Sequence, residues 1–343
     1  LLPYLSAAAE IKTKPTQHSV KKLMESGLNA DIIVCRTEHR LTSDLRKKIA
    51  LFCNVDFKSV IESIDAKTIY DVPLLMLEEK LDKVVLKKLK IKSKTKADLS
   101  SWKKFVYNLK NPKNEVSIGL IGKYVELQDS YKSILESFIH AGSVNSVKVN
   151  VHPIHSESIN KTNVKSLMSN LDGVLVAPGF GDRGIEGKII SIEYARVNDI
   201  PFLGICLGMQ MAVIEYARNV IGLKNANSTE MDYHTKHPVI SLMEDQVNVE
   251  NKGGTMRLGS WKCEISKGTL THDIYKKNVI KERHRHRYEL NFNYIESLTK
   301  SGMVLCGKNP ETDLVEIIEL PNHRWFIGVQ FHPEYQSTVD KPH

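Results

Sequence analysis

The chain has 343 residues, 41% of them hydrophobic and 26% charged, with a formal net charge of +8. This length and composition exclude a disordered or fibrous protein and fit one large globular domain or two ordinary ones. No apolar run approaches the ~20 residues of a membrane-spanning helix, and the five cysteines lack the paired spacing of a disulfide scaffold or a zinc site. We therefore expect a cytoplasmic protein with no metal site of its own.

The first 82 residues contain few predicted elements. Short apolar segments lie at 28–35 and 48–52, and residues 67–73 have the composition of a further strand. These residues begin abruptly within a motif-like stretch, so we expect an incomplete domain and a chain that is a piece of a longer protein.

Much of the positive charge lies in residues 80–113, which include six lysines between 87 and 96. Such a run could bind nucleic acid or an anionic surface. No aromatic residue alternates with the lysines, as base stacking would require, so we favour a solvated linker or helix face. An anionic nucleotide substrate is a third reason for a basic surface.

From residue 116 onward, predicted strands and helices alternate. The strands are at 116–122, 147–151, 173–177 and 202–205, and the helices at 131–140, 163–170, 186–197 and 207–217. This pattern predicts an α/β fold with a mostly parallel sheet and helices on both faces. Five later segments, at 254–265, 282–291, 304–307, 314–319 and 326–330, predict antiparallel additions on one edge of that sheet.

Cys206 lies where an apolar strand runs through Gly-Ile-Cys-Leu-Gly into a helix. A nucleophile at such a turn has a strained backbone and a side chain lifted clear of the sheet, and the flanking glycines allow close packing. The helix N-terminus lowers the pKa of a thiol placed there. Most intracellular cysteines are buried and inert, but this context favours a catalytic role.

A histidine and a carboxylate follow the last predicted strand, as His332 and Glu334. Strand alternation would put both side chains on one side, so that Glu334 orients the imidazole and the imidazole serves the thiol. The alternative for His332 is a core histidine with ordinary hydrogen bonds. Together with Cys206, the pair favours a Cys-His-Glu triad for acyl transfer through a thioester.

Residues 204–210 and 328–334 resemble the class I glutamine amidotransferase domain, and five further stretches resemble the CTP synthase family. These stretches are residues 12–18 (Lys-Thr-Lys-Pro-Thr-Gln-His), 48–54, 227–230, 253–259 and 282–288. The resemblance covers nearly the whole chain and is weakest near residues 83–115. It implies that residues 1–82 are the C-terminal part of an amidoligase (synthetase) domain, a partial α/β domain that precedes the glutaminase fold. It also implies that 83–114 are a linker or helical connection and that 115–343 are the class I glutamine amidotransferase domain.

The resemblance also implies an oxyanion hole for the tetrahedral intermediate. One donor would be the amide of Leu207, after the nucleophile, and the other the amide of Gly179. The family's usual form of this loop is Pro-Gly-Gly-Phe-Gly, whereas here Ala177 and Pro178 replace Pro-Gly. Proline has no N–H, but the aligned donor Gly179 is retained.

Binding residues carry over by position. Residues matching the glutamine contacts are Gly179, Leu207, Gly208, Met209, Gln210, Glu230 and Arg287. Those matching the UTP and CTP contacts are Lys12, Thr13, Lys14, Pro15, Thr16, Gln17 and Lys48. Phe180 and Arg183 lie where the family is thought to receive GTP, its allosteric activator.

His284 and His286, two residues apart, invite a metal interpretation. Further ligands do not accompany them in the sequence, so Arg287 beside glutamine is the better interpretation of this segment.

The implied reaction is glutamine hydrolysis that supplies ammonia for ATP-dependent amination of UTP to CTP. The chain has no Gly-x-x-x-x-Gly-Lys-Ser/Thr loop, so the ATP and Mg²⁺ sites are expected outside it. The family assembles as homotetramers, some of which form filaments, and we expect neither nucleic acid nor a membrane as a partner. Two alternatives remain: another triad enzyme, such as a γ-glutamyl hydrolase, and a basic assembly module without catalysis.

Overall fold

A computed structural model describes residues 1–242 and 256–343, which group into two compact units, 1–107 and 108–343. Each unit is described by itself. Within the described ranges, no helix combines the length and apolar character that crossing a membrane requires.

The first unit is built on a small parallel strand pair with helices around it. Its strands are β1 (Tyr4–Leu5), β2 (Glu10–Ile11), β3 (Ile33–Thr37) and β4 (Val60–Ile64), and its helices are α1 (Lys14–Glu25), α2 (Ser43–Phe52), α3 (Val72–Glu78), α4 (Leu81–Lys88) and α5 (Ser100–Lys110). Strands β3 and β4 pair in parallel, with α2 as the crossover between them. Ile33, Cys35, Ile49 and Val60 form the centre of the core.

The strand predicted at residues 67–73 is wrong. A short 3₁₀ helix, Ile69–Asp71, leads there into α3. Thr68 accepts a hydrogen bond from the Tyr70 N–H, and Pro73 lies in the first turn of α3. Proline has no backbone N–H, and the first turn of a helix does not need one. Pro73 therefore fits a helix start better than a strand.

Residues 83–114, expected to be a linker or helical connection, contain most of α4 and all of α5. The rings of Trp102 and Phe105 on α5 lie 6.2 and 5.0 Å from the Tyr70 ring, and the Trp102 indole donates to the Tyr70 carbonyl. The lysines at 87–96 are exposed, as a solvated face would be. The domain limits themselves stay predictions.

The second unit contains a large mixed sheet, a smaller sheet and flanking helices. Its strands are β5 (Asn114–Gly122), β6 (Val147–His155), β7 (Gly173–Val176), β8 (Phe202–Ile205), β9 (Ala226–Ser228), β10 (His237–Leu242), β11 (Arg257–Ile265), β12 (Val279–His286), β13 (Tyr288–Leu290), β14 (Val304–Lys308), β15 (Val315–Glu319) and β16 (Phe326–Val329). Its helices are α6 (Lys132–Asn145), α7 (Val164–Met168), α8 (Ile185–Val197), α9 (Leu207–Asn219), α10 (Leu270–Tyr275) and α11 (Ile295–Lys300).

In the described residues the large sheet has the strand order β12-β11-β14-β15-β16-β8-β7-β5-β6. The strands from β16 to β6 are parallel, and β15, β14, β11 and β12 extend one edge in antiparallel fashion. Strands β7 and β16 are buried along their whole length, as expected for parallel strands covered on both faces. The predicted fold class, with antiparallel additions on one edge, is confirmed. The prediction that 326–330 is one of these additions is wrong, because β16 pairs with β8 in parallel.

One predicted strand, at 282–291, is two strands in the structure. Strand β12 belongs to the large sheet, whereas β13 pairs with β10 in the smaller sheet, so the chain changes sheets at Arg287. The predicted strand at 254–265 begins partly outside the described residues, as does the Gly-Gly-Thr-Met-Arg-Leu-Gly stretch at 253–259; β11 is described from Arg257.

Candidate active site

Cys206 occupies the turn between β8 and α9. Its backbone has φ +52° and ψ −105°, a region that residues other than glycine rarely adopt. The thiol is 5% exposed. It lies 3.7 Å from the Gln330 side-chain amide nitrogen and 3.9 Å from the Arg285 carbonyl oxygen. The tight strand-to-helix turn predicted from the sequence is therefore present.

Two glycines permit this turn by letting backbones approach. A Cβ atom on Gly208 would lie 2.2 Å from the Val176 carbonyl oxygen, and one on Gly204 would lie 2.7 Å from the Gly208 backbone. Contacts this short cannot form, so any larger residue would push α9 away from β7 and β8.

His332 and Glu334 lie beside Cys206 because β16 pairs in parallel with β8. Ile205 is opposite Val329, so both strands end at the same edge of the sheet. The His332 Nδ1 atom lies 2.8 Å from Glu334 Oε1. The expected cause, strand alternation, is wrong: β16 ends at Val329, and Glu334 lies in a 3₁₀ turn, Pro333–Tyr335, that begins after His332. Pro333 cannot donate to a strand ladder, so the chain turns there.

The environment of His332 favours its charged form. Burial opposes the charge, but the neighbouring Cys206 and Glu334 outweigh it and raise the pKa of His332 to about 10. The buried Nε2 atom has no hydrogen-bond partner within the described residues. The Tyr335 ring stacks on the imidazole at 5.1 Å. A thiol next to this imidazolium can react as a thiolate.

The loop at 177–181 runs beside the first turn of α9. A Cβ atom on Gly179 would lie 3.4 Å from the Leu207 side chain, so the structure brings these two predicted oxyanion donors together. Side chains hold the loop: Lys188 Nζ donates to the Ala177 carbonyl at 2.7 Å, and Lys123 Nζ donates to the Phe180 carbonyl. Neither lysine was singled out from the sequence. A lysine at a buried position of α8 was the available signal for Lys188.

Four of the residues matched to glutamine contacts follow Cys206 directly in the chain. Leu207, Gly208, Met209 and Gln210 form the buried first turn of α9. The Gln210 side chain is already engaged, donating to the Tyr288 carbonyl at 2.9 Å and to Gln330 Oε1 at 3.2 Å.

Glu230 and Arg287 both lie near Tyr288. Burial and then Glu230 raise the pKa of the Tyr288 phenol, and Arg287 opposes them. Glu230 also accepts a hydrogen bond from the Gly181 N–H at 2.7 Å. A carboxylate and a guanidinium are thus placed within electrostatic reach of one group, which suits a zwitterionic amino acid.

Phe180 and Arg183, matched to GTP contacts, lie at the surface of the second unit. Phe180 is 69% exposed. The Arg183 guanidinium lies 5.3 Å from the Tyr124 ring centroid and pairs with Glu157 at 3.0 Å.

The nucleotide-matched residues 12–17 lie just before α1 and in its first turn, whereas Lys48 lies in α2. Thr13 and Thr16 are buried, and their hydroxyls make internal hydrogen bonds with Gln17 and with the Leu1 carbonyl. Lys12 pairs with Glu10 at 2.8 Å. Exposed members of the set are Lys14, Pro15 and Lys48.

His284 and His286 belong to a buried charged cluster. The two rings are joined at 2.8 Å, His284 lies 3.1 Å from Glu316, and Arg257 lies 2.6 Å from Glu316. Burial lowers the pKa of His284 to about 2 and that of His286 to about 3. The described residues contain no group of His, Cys, Asp and Glu arranged to hold a metal.

Two family models match the chain. The model described as glutamine amidotransferase class-I matches residues 126–343, and the one described as CTP synthase N-terminus matches residues 1–91. The second match favours CTP synthase over other triad enzymes.

Curated relatives agree with these matches. A CTP synthase of Christiangramia forsetii is 67% identical over 343 residues, which are 100% of this chain and 63% of that protein. A CTP synthase of Methanocaldococcus jannaschii is 53% identical over 349 residues, covering 100% of this chain and 64% of that protein. The chain thus spans a little under two thirds of the length of these relatives.

A solved structure, the glutaminase domain of Trypanosoma brucei CTPS with bound acivicin, is 38% identical, with a TM-score of 0.62 over 66% of this chain and 89% of that chain. The resemblance drawn from the motifs is confirmed. Because the amidotransferase model covers more than half of its residues, the chain belongs to the class-I glutamine amidotransferase family, and the relatives it resembles are CTP synthases.

Proposed function

We propose that this chain hydrolyses glutamine with Cys206 as the nucleophile, His332 as the acid and base, and Glu334 as the carboxylate that orients His332. One observation carries the proposal: the 2.8 Å contact from Glu334 to His332 Nδ1 leaves a buried, unpartnered Nε2 atom next to a thiol at a strained turn. This is the relation of nucleophile, base and orienting group that covalent catalysis needs.

In the first step the Cys206 thiolate attacks the side-chain amide carbon of glutamine. The negative charge that develops on the amide oxygen is stabilised by the N–H groups of Gly179 and Leu207. His332 transfers its Nε2 proton to the amide nitrogen, the C–N bond breaks, and ammonia leaves a γ-glutamyl thioester on the sulfur. In the second step, neutral His332 takes a proton from water, whose oxygen attacks the thioester and releases glutamate.

Glutamine recognition is assigned to Glu230, Arg287 and the first turn of α9. Glu230 would bind the α-ammonium group and Arg287 the α-carboxylate, as their shared position near Tyr288 supports. Gln210 would act through the backbone, because its side chain is held by Tyr288 and Gln330.

In the longer protein, we propose, this ammonia serves the amination of UTP to CTP. The likeness to CTP synthases along the whole chain supports this reaction. Residues 12–17 and Lys48 would contact the pyrimidine nucleotide, Phe180 and Arg183 would contact the activator GTP, and the assembly would be a homotetramer. ATP and Mg²⁺ would serve the same half-reaction, and the described residues contain no cluster that fits the metal.

The test is glutamate release from glutamine by the purified chain. Cys206→Ala should abolish it, whereas Cys263→Ala, which removes a fully buried thiol from β11 of the same unit, should retain it. Glutamate release by Cys206→Ala at the wild-type rate would overturn the assignment. In the longer protein, Cys206→Ala should still form CTP from added ammonia; equal loss with both nitrogen sources would show that Cys206 is structural.

A further inference from the structure

Lys188 is a buried lysine to which the proposed mechanism assigns no role. It lies on α8, is 1% exposed, and donates one hydrogen bond, at 2.7 Å, to the Ala177 carbonyl. No described carboxylate forms an ion pair with it. Lysine is almost never fully buried unless it is paired, because the desolvated ammonium is costly. A residue kept at such a cost invites a functional explanation.

The Lys188 ammonium lies under the loop that carries the proposed oxyanion donor. A Cβ atom on Gly179 would lie 3.8 Å from Lys188 Nζ and 3.4 Å from the Leu207 side chain. Burial, and then the neighbouring charge of Lys123, lower the pKa of Lys188 to about 7, while Cys206 acts in the opposite direction. Lys188 is therefore close to both the donor loop and the thiol.

The contact with Ala177 constrains the next peptide because residue 178 is proline. The hydrogen bond holds the plane of the Ala177–Pro178 peptide, and the proline ring holds φ of Pro178 near −65°. Only ψ of Pro178 then remains to set the direction of the Gly179 N–H. On the far side of Gly179, Lys123 holds the Phe180 carbonyl and Glu230 holds the Gly181 N–H.

We propose that Lys188 is a positioning residue for thioester formation: by fixing the Ala177 carbonyl next to Pro178, it keeps the Gly179 N–H directed at the oxyanion beside Cys206. The inference rests on the proposed glutaminase function. It depends on the hydrogen bond rather than on the charge, since a neutral amine also donates.

The test compares two reactions of the same thiol in Lys188→Met. Glutamine hydrolysis passes through an oxyanion, whereas alkylation of Cys206 by iodoacetamide does not. Loss of one oxyanion-hole donor costs about 10²–10³ in kcat, so a misdirected donor should lower kcat about 10-fold to 100-fold. KM and the alkylation rate should stay within about threefold of wild type, because Glu230 and Arg287, which are assigned to the charged groups of glutamine, and His332 are untouched.

Arg196→Met is the matched control. It also removes a cation from α8, but one that pairs with Glu215 at 2.6 Å, so it reports general loosening of this helix. Its kcat should stay within about threefold of wild type.

Each other outcome has a definite meaning. A parallel fall of alkylation and kcat in Lys188→Met would mean that Lys188 acts on the thiol, and unchanged kcat would mean that it does not position the donor; either overturns the inference. Absence of glutamate release by the wild-type chain would instead overturn the proposed function.

If Lys188→Met fails to fold, Pro178→Gly gives the second test. This substitution removes the fixed φ angle at residue 178, in a partly exposed loop. It should lower kcat about twofold to fivefold and leave the alkylation rate of Cys206 unchanged. An unchanged kcat in that variant would overturn the inference.

Discussion

The backbone at Gly208 lies so close to Val176 that a Cβ atom there would meet the Val176 carbonyl oxygen at 2.2 Å. The oxygen belongs to a central strand and cannot move away as a flexible side chain could. Helix α9 and the thiol at its start therefore depend on a residue without a side chain.

Gly208→Ala should lower the free energy of unfolding by about 1–3 kcal/mol through overpacking, and should also suppress glutamate release by shifting Cys206. Urea unfolding and a glutaminase assay measure the two effects. Gly173→Ala is the control, since its nearest neighbour is the flexible end of Ile118 at 3.1 Å. A fully stable and active Gly208→Ala would show that the close approach is not required.

His332→Ala should leave a thiol that alkylates more slowly at neutral pH. The raised pKa of His332, about 10, means that wild-type Cys206 has a cationic neighbour there. Without that charge the thiolate is less favoured, and we expect at least a tenfold slower reaction with iodoacetamide at pH 7. An alkylation rate that matches wild type from about pH 6 to 9 would remove His332 from the triad.

Glu334→Gln should change how stability depends on pH. The pKa of His332 is about 10 in the folded chain and about 6.5 when unfolded. Its contribution to stability is therefore complete below about pH 6.5 and disappears as pH rises through about 10. Losing the carboxylate lowers the folded pKa, so melting temperature should fall less between these limits in the variant than in wild type. An equal fall in melting temperature with pH in the variant and in wild type would contradict the ion pair between His332 and Glu334.

Lys188 should give a pH dependence of the opposite sign. Its pKa falls from 10.5 to about 7 on folding, so below about pH 7 folding must bury a full ammonium. That cost shrinks as pH rises towards 10.5, because the folded chain then releases its proton first. As pH rises through this range, the melting temperature of wild type should increase relative to that of Lys188→Met. A constant difference would mean that Lys188 is not desolvated.

Arg257→Met should strongly destabilise the second unit. Arg257 lies 2.6 Å from Glu316 and 3.7 Å from Glu289, and all three side chains are almost completely buried. Removing one partner of a buried pair costs about 3–5 kcal/mol, because the remaining charge is uncompensated. Lys262 lies on the same strand as Arg257, and Lys262→Met, which breaks an exposed pair with Glu311, should cost less than about 1 kcal/mol. Equal losses of stability in the two variants would contradict this distinction.

Activity should also fall in Arg257→Met. The neighbouring strand β12 carries the Arg283 carbonyl that accepts the His332 N–H and the Arg285 carbonyl next to the thiol. A glutaminase rate at the wild-type level in the folded variant would show that the cluster stabilises the sheet without positioning these groups.

The central sheet could be predicted because alternating apolar strands and helices leave few arrangements for their backbones. The parallel pairing of β16 with β8 was not predicted, since 326–330 was assigned to the antiparallel additions; Cys206 and His332 were paired from the chemistry of a nucleophile and its base. The relation of His332 to Glu334 was predicted with the wrong cause, since Pro333 starts a turn where alternation had been assumed.

Other features depend on tertiary contacts that no local pattern shows. The change of sheet at Arg287 depends on where β10 lies, whereas Pro73 was a local signal for the helix start that follows Thr68. The role of Lys188 depends on a carbonyl eleven residues earlier. From sequence alone, the helical spacing puts this lysine among apolar residues but does not show which carbonyl it contacts.

The backbone conformation of Cys206 places stability and catalysis in opposition. Its φ of +52° is tolerated by glycine without strain but costs other residues about 1–3 kcal/mol. Cys206→Gly would therefore relieve this strain while deleting the thiol. Selection of variants for heat resistance alone would favour an inert protein at this position, so the cysteine can persist only where the reaction itself is selected.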